Sequence, residues 1–240
     1  MAERPLITPE SAERLAGMVR VAPAPDLADI VEQHWVVAWD NRGRVPVVQE
    51  VLPDPCVNLA VEPAGVLLYG VTSRRSRHVL AGAGRVVGTK FRPGGFSGFM
   101  PGPVSALADR VVPVPELERA LAGEPSTRRV IEIVTEHLRA QRPPPDPQRA
   151  LVAEVVAAMR AAEPGARVAD VAAGFGLAPR TLQRLFAAHV GATPKRVLQR
   201  LRLQQAADRL AEADGDLARL AVELGYFDQA HFAHDFRAAT

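Results

Sequence analysis

The sequence predicts an α+β protein in which a β-rich N-terminal domain precedes an all-α C-terminal domain. Short apolar runs fill the first hundred residues, the segments after residue 147 have helical character, and the proline-rich stretch RPPPDP (142–147) separates the two regions. Consecutive prolines cannot continue a helix or a sheet ladder, and they favour an extended spacer. We therefore place the domains at residues 1–141 and 148–240, with 142–147 as the linker.

Size and composition suit a folded protein. The 240 residues are 48% hydrophobic and 23% charged, which is enough for one large domain or two ordinary ones. A single cysteine, Cys56, excludes an internal disulfide and a four-cysteine zinc cluster. The first twenty residues carry charge throughout and do not resemble a signal peptide. Because no run of about eighteen apolar residues occurs either, we expect a cytoplasmic protein.

The first hundred residues contain six short apolar or β-branched runs, separated by Gly, Pro, Asp and Asn. Many short strands with close turns predict a β-barrel or sandwich, which we expect to be cupin-like. The runs are 33–40, 45–52, 56–62, 65–71, 77–82 and 85–91. Helical segments follow at 114–123 and 125–141. The apolar stripe of the second could pack on the barrel, on the C-terminal half or on a second copy of the chain.

The C-terminal half contains an internal repeat. Segments 170–186 and 219–236 align with an offset of 49 at their glycines and 50 at their last phenylalanines. Each unit has a short helix, a glycine turn and a second helix, which is the pattern of a helix-turn-helix. In the first unit Leu182 and Phe186, four apart, lock the second helix to the first.

The residues between those anchors face outward in this pattern. They include Arg180, Gln183 and Arg184, and arginine can pair with guanine edges and glutamine with adenine edges. The window 179–209 holds seven basic residues and one acidic residue, which suits contacts to DNA phosphates. The basic charge taken by itself could equally mark a solvent-exposed helix face with no DNA partner. Two helix-turn-helix units in succession favour DNA binding.

A long helix is predicted between the two units, over residues 193–213. Thr193 is a good N-cap and Pro194 a good first residue. Nineteen helical residues would span roughly 28 Å at about 1.5 Å per residue. This is close to the roughly 34 Å between successive major-groove faces of B-DNA. The helix could therefore hold two recognition helices on one side of a duplex.

The stretches TLQRLFAAHVGATPKRVLQRLRLQQAADRL and LAVELGYFDQAHFAHDF resemble the DNA-binding domain of AraC-type (AraC/XylS family) transcription regulators. The resemblance covers roughly residues 150–240. It implies two units that bind adjacent major-groove segments of double-stranded DNA, in a family that leans towards activation. The DNA contacts expected from the resemblance and the basic window are Arg180, Thr181, Gln183, Arg184, Lys195, Arg196, Gln229, Ala230, Ala233, His234 and Arg237.

The sequence departs from the family pattern at three places. Ala178 stands where the family often has a capping serine, and His234 stands where the second unit often has arginine. By the repeat offset a glycine would come at position 241. The family's final G-x-T/S-P segment and its last helix are therefore not in this sequence.

The N-terminal half resembles the β-rich sensor-like domain that precedes this DNA-binding domain in a subset of such regulators. The resemblance rests on LPDPCVNLAV (52–61) and VVGTKFRPGGFSGFM (86–100), and it implies no particular ligand. Apolar side chains could line a pocket for a small-molecule effector, or they could be simple core. These candidates are Trp35, Trp39, Cys56, Phe91, Phe96 and Phe99. Cys56 is either a reactive thiol or, as we favour, a small buried residue.

Other functions have less support. His231 and His234 are three apart and could bind zinc, but no clear third and fourth ligands accompany them. No nucleophile–base set or phosphate loop is present, so we expect neither an enzyme nor a cofactor. The alternatives are an architectural DNA binder without an effector and, with less support, an enzyme in the barrel. RNA polymerase and a second copy of the chain stay open as partners.

Overall fold

The computed structural model describes residues 16–51, 55–72, 76–163 and 165–212. Within these ranges it contains eight strands and six α-helices. The strands are β1 (Ala16–Val21), β2 (Val31–Asn41), β3 (Val47–Val51), β4 (Asn58–Glu62), β5 (Gly65–Tyr69), β6 (Ser76–Leu80), β7 (Gly82–Phe91) and β8 (Val111–Pro113). The α-helices are α1 (Pro115–Ala120), α2 (Thr127–Ala140), α3 (Pro147–Ala161), α4 (Val168–Gly174), α5 (Pro179–His189) and α6 (Pro194–Glu212). Two 3-10 helices cover Pro25–Leu27 and Val104–Leu107.

The six predicted strands are confirmed as β2 to β7, and alternating burial is clearest in the short strand β5. In β5, for example, Val66 and Leu68 are buried between less buried neighbours. The sequence did not predict β1, which lies at the charged N-terminal end, or β8, which has only three residues. Short edge strands of this kind carry too little pattern to be recognised.

The strands form an open sheet with a separate two-stranded ribbon. The sheet has the order β1-β2-β7-β4-β5-β8, and β3 pairs only with β6 in the ribbon. Among the described residues the end strands β1 and β8 do not pair, so of the predicted barrel or sandwich the closed barrel is wrong. The physical reason is that β3 and β6 leave the sheet and satisfy each other's backbone groups. The cupin-like assignment stays a prediction.

The two faces of the sheet have different surroundings. Val87 and Phe91 of β7 join a hydrophobic core with Leu117 of α1 and Val130 of α2. Trp35, paired with Gly88, points to the opposite face. We call that opposite face, defined by Trp35, Trp39, Asn58 and Tyr69, the tryptophan face.

A second hydrophobic cluster lies after the proline-rich stretch and is built from α3 to α6. Two of its helices, α3 and α6, begin at residues whose side chains cap the first turn. Asp146 caps α3 by accepting the backbone N–H of Gln148 at 2.8 Å. The predicted cap of α6 is confirmed, since Thr193 Oγ1 accepts the N–H of Arg196 at 3.3 Å and Pro194 is the first helical residue.

Candidate nucleic-acid interface

The first helix-turn-helix unit is formed by α4, a turn and α5. Gly176 adopts φ +64° in the turn, a left-handed conformation that favours glycine. Ala172 of α4 is 1% exposed, so the backbones of the two helices approach closely there. Leu182 and Phe186 of α5 are fully buried against them. The anchors that the sequence predicted therefore hold α5 in place.

The opposite side of α5 faces solvent. Arg180, Thr181, Gln183 and Arg184 are all exposed, and they follow one another around the first two turns. Two arginines and one glutamine on one accessible side present the donors and acceptors that base edges require. The N-terminus of α5 has no side-chain cap at Ala178, as the sequence predicted, so this residue offers no side-chain acceptor to the N–H groups of the first turn.

The first turn of α6 adds positive charge beside this unit. Lys195 and Arg196 are exposed there, immediately after the cap at Thr193. The helix dipole places a partial positive charge at the same end. Side chains and dipole together would attract a phosphate group more strongly than either does alone.

Not all of the basic window is available for phosphates. Arg200 is 8% exposed, and the Arg202 guanidinium donates a hydrogen bond to the carbonyl oxygen of Ala166. Gln205 likewise donates to the carbonyl of Arg160 at 2.7 Å. These side chains fasten α6 to the end of α3 and to the loop before α4. Fewer of the basic side chains in the window 179–209 are therefore available to phosphates than their number suggests.

The second unit lies outside the described residues. The candidate contacts Gln229, Ala230, Ala233, His234 and Arg237 all belong to it, as does the histidine pair considered for zinc. Within the described ranges no group of three or more His, Cys, Asp or Glu side chains is placed to hold a metal ion.

The structure separates the residues predicted for an effector pocket. Phe91, Phe96 and Phe99 contact one another with ring centroids 5.0 to 5.8 Å apart, and they pack with the core on the helix side. Trp35 and Trp39 lie over Gly88 and Gly84 on the tryptophan face. Side chains on opposite faces of one sheet cannot line one pocket. Cys56 is buried, with 3% of its surface exposed.

The tryptophan face carries polar groups that the sequence analysis missed. The Tyr69 hydroxyl donates to Glu62 Oε1 at 2.6 Å, and burial, followed by this hydrogen bond, raises the pKa of Tyr69. The His78 ring of β6 meets the Tyr69 ring edge-on, with centroids 6.4 Å apart. Gln49 pairs with His78 across the ribbon, and its buried Oε1 has no hydrogen-bond partner among the described residues. An unpartnered buried carbonyl oxygen is costly unless something donates to it.

Comparison with known families finds one match in each half of the chain. Residues 158–240 match a family model described as a helix-turn-helix domain, and residues 19–113 match one described as a domain of unknown function, DUF6597. With the resemblance carried by the quoted motifs, the C-terminal part of this chain is an AraC-type helix-turn-helix domain. In the described residues no helix has the length and apolar character needed to cross a membrane.

Curated relatives match the chain over about a quarter of its length. The HTH-type transcriptional activator RhaS of Pectobacterium carotovorum subsp. carotovorum is 43% identical over 65 residues, which cover 27% of this chain and 23% of the relative. RhaS of Escherichia fergusonii is 40% identical over 67 residues, covering 28% of this chain and 24% of the relative. The matched region thus spans about a quarter of the length of these relatives.

Solved structures of ToxT from Vibrio cholerae are similar at a lower level. ToxT from strain O395 aligns with a TM-score of 0.43 and 8% identity, over 95% of this chain and 94% of that chain. ToxT bound to an unsaturated fatty acid aligns with a TM-score of 0.43 and 9% identity, over 93% and 90%. A similarity this distant assigns neither ligand nor function to this chain.

Proposed function

We propose that this protein is a sequence-specific DNA-binding transcription regulator whose helix α5 enters the major groove. One observation carries the proposal: α5 buries Leu182 and Phe186 while it exposes Arg180, Gln183 and Arg184 together. One side of this helix is fixed by packing, and the other side presents side chains that can hydrogen-bond to bases. Such a helix suits direct recognition of base edges.

The similarity to RhaS supports activation as the mode of regulation, because those relatives are named transcriptional activators. By the internal repeat, the second unit would contribute Gln229, Ala230 and His234 to an adjacent groove segment. Lys195 and Arg196 would contact phosphates between the two units. We place the protein in the cytoplasm, the compartment in which the bacterial relatives named above would meet DNA and RNA polymerase. RNA polymerase and a second copy of the chain remain hypotheses as partners.

The proposal is tested by selection of bound duplexes from a random pool, followed by binding measurements. Arg184→Ala should weaken binding to the selected duplex by roughly 1–3 kcal/mol more than binding to a random-sequence duplex. Arg44→Ala is the matched control, because Arg44 is an exposed arginine of the N-terminal region and its loss changes the net charge equally. Equal weakening on both duplexes would reduce Arg184 to a phosphate contact. A chain that binds no duplex would overturn the proposal.

We also propose that the N-terminal domain binds a small-molecule effector between the tryptophan face and the ribbon of β3 and β6. The aromatic rings would supply apolar contact, and the unpartnered Gln49 Oε1 would accept a hydrogen bond from the ligand. Phe91, Phe96 and Phe99 are left out of this site because they belong to the core. A ligand with a donor group and an apolar body fits this combination.

The effector proposal can be followed directly, because both tryptophans of the chain lie on this face. A compound that changes tryptophan fluorescence and DNA affinity together supports the site. Gln49→Leu should weaken the binding of that compound by roughly 1–3 kcal/mol, because one buried hydrogen bond is lost. Val48→Leu, on the exposed side of the same strand, is the control. If no compound in a broad library alters DNA affinity, the alternative of an architectural DNA binder is preferred.

A further inference from the structure

The C-terminal end of α5 is attached to the N-terminal domain through a buried histidine. His189 is 8% exposed, and its Nδ1 lies 2.9 Å from Ser97 Oγ in the loop after β7. Its Nε2 lies 3.3 Å from Oε1 of Gln148 in the first turn of α3. One side chain therefore joins the recognition helix, the N-terminal domain and the start of the helical domain.

The direction of the hydrogen bond between His189 and Ser97 follows from the serine. Its hydroxyl donates to the carbonyl oxygen of Gly94 at 2.9 Å, so the Ser97 oxygen accepts from Nδ1–H of His189. Burial lowers the pKa of His189, while the nearby Asp146 carboxylate opposes this and Arg149 reinforces it. The ring is thus neutral at neutral pH and donates through Nδ1–H to Ser97. Its Nε2 then carries no proton, so the Gln148 amide must turn its N–H₂ group towards the ring to donate to it.

Glycines allow the backbones to meet at this contact. A Cβ atom on Gly98 would overlap Pro143 of the proline-rich stretch, and one on Gly94 would lie 3.3 Å from Val152 of α3. A Cβ on Gly191, directly after α5, would lie 3.0 Å from the carbonyl oxygen of Val104. Gly94 of the F-R-P-G-G-F motif and Gly98 just after it therefore give room to α3 and the proline-rich stretch, whereas Gly95 lies against the backbone of Ile30. We call residues 94–107 the docking loop.

The docking loop is also part of the N-terminal core. Phe96 and Phe99 stack with centroids 5.8 Å apart, and both contact Phe91 at the end of β7. Val104 is fully buried in the same core. A shift of the sheet would move these side chains and, with them, the surface that carries α5.

The attachment leaves the DNA-contacting side of α5 free. His189 and Val190 are buried at the C-terminal end, whereas Arg180, Gln183 and Arg184 are exposed on the first two turns. Docking and DNA contact use different sides and different ends of one helix. Within the described residues, docking and DNA contact therefore do not compete for the same side chains of α5.

We propose that the docking loop is a standing anchor for the first helix-turn-helix unit, which stays attached to the N-terminal domain when α5 binds DNA. The N-terminal domain then acts by setting the orientation of α5 and not by covering it. The DNA-bound part of this inference rests on the proposed function.

Hydrogen exchange on the full chain tests the anchor. Ser97→Ala removes the acceptor for His189 without entering either core, and it should speed exchange of the amides at 188–191 about fivefold. Gly98→Ala should speed it roughly tenfold, because its Cβ displaces the loop from Pro143. Ser105→Ala, in the same loop and with no side-chain hydrogen bond among the described residues, should leave exchange unchanged. Unchanged exchange in Ser97→Ala would overturn the anchor, even if Gly98→Ala fails to fold.

The second arm adds duplex DNA, either the selected duplex or a random-sequence one. We expect DNA to protect residues 179–187 and to leave the protection of 97–107 and 188–191 as it was. Faster exchange of 97–107 on adding DNA would show that α5 detaches, and would overturn the inference. A chain that binds no duplex overturns the proposed function and the DNA-bound part together, while exchange of the free chain still decides the anchor.

Discussion

At the scale of single residues, His34 is a buried histidine within the sheet. It is 1% exposed, and its Nδ1 lies 2.8 Å from Oγ1 of Thr89, which is 2% exposed. Burial lowers the pKa of His34 to about 4. A charged ring would lose its hydration there, so the folded protein keeps this histidine neutral.

His34 should make stability depend on pH. Between about pH 6.5 and pH 4 the unfolded chain binds a proton at this position and the folded chain does not, so stability falls as pH falls. The pKa difference corresponds to roughly 3 kcal/mol at most. His34→Asn should flatten this slope in urea unfolding measured across that pH range, leaving a smaller slope from His189. Thr89→Ser, which keeps the hydroxyl, should retain the slope. An equal slope in His34→Asn would contradict the assignment.

Gly88 is a second position at which a single added atom should lower the stability of the fold. A Cβ atom there would overlap the Trp35 ring, which lies directly across the β2–β7 pair. We expect Gly88→Ala to lower the free energy of unfolding by roughly 1–3 kcal/mol, since overpacking forces the ring to shift. Trp35→Leu in the same chain should recover part of this loss in a double-mutant cycle. Strictly additive losses would show that the ring is not the cause.

At the scale of elements, α5 begins without a capping side chain. Ala178 has the extended conformation of an N-cap residue but no side-chain oxygen. Ala178→Ser should therefore raise the free energy of unfolding by about 1 kcal/mol, measured by urea unfolding with far-UV circular dichroism. Ala187→Ser, at an exposed interior position of the same helix, should lower it by a few tenths of a kcal/mol. Equal effects at both positions would exclude capping as the reason.

In helix α6 the first residue could be predicted from the sequence, but the surroundings of its arginines could not. Its start was predictable, because Thr193 and Pro194 act on their own backbone neighbours. The exposure and the contacts of its basic side chains were not predictable. Arg196 is exposed, whereas Arg200 is buried and Arg202 contacts the carbonyl of Ala166 in another segment. Arginines look alike in a sequence, and only neighbouring segments decide which of them can reach a phosphate.

At the scale of the whole molecule, the two hydrophobic clusters meet at the docking loop. Val104 belongs to the N-terminal core, and its carbonyl and side chain lie against the position of Gly191. A shared buried contact of this kind couples the unfolding of the two parts. The two clusters also support our proposal of domains at 1–141 and 148–240.

This coupling can be measured with two probes in one chain. Tryptophan fluorescence reports the sheet, because Trp35 and Trp39 are the only tryptophans, and far-UV circular dichroism reports mainly the helices. The wild-type chain should show coincident urea midpoints. Val104→Ala should lower stability by roughly 1–3 kcal/mol and separate the midpoints. Val66→Ala, in the sheet core away from the docking loop, should destabilise the sheet without such a separation. Coincident midpoints in Val104→Ala would contradict coupling at this residue.

The sequence by itself determined the strands β2 to β7, the helices α1 to α6 and the helix-turn-helix character of the first unit. Each of these follows from periodicity, caps and turn residues, which act over a few positions along the chain. Only the tertiary structure decided that the sheet is open, that the aromatic residues lie on two faces, and that His189 and the glycines of the docking loop join the two domains. These features depend on contacts between residues that lie far apart in sequence, such as Ser97 and His189. Such a contact leaves no periodic pattern in the sequence around either residue.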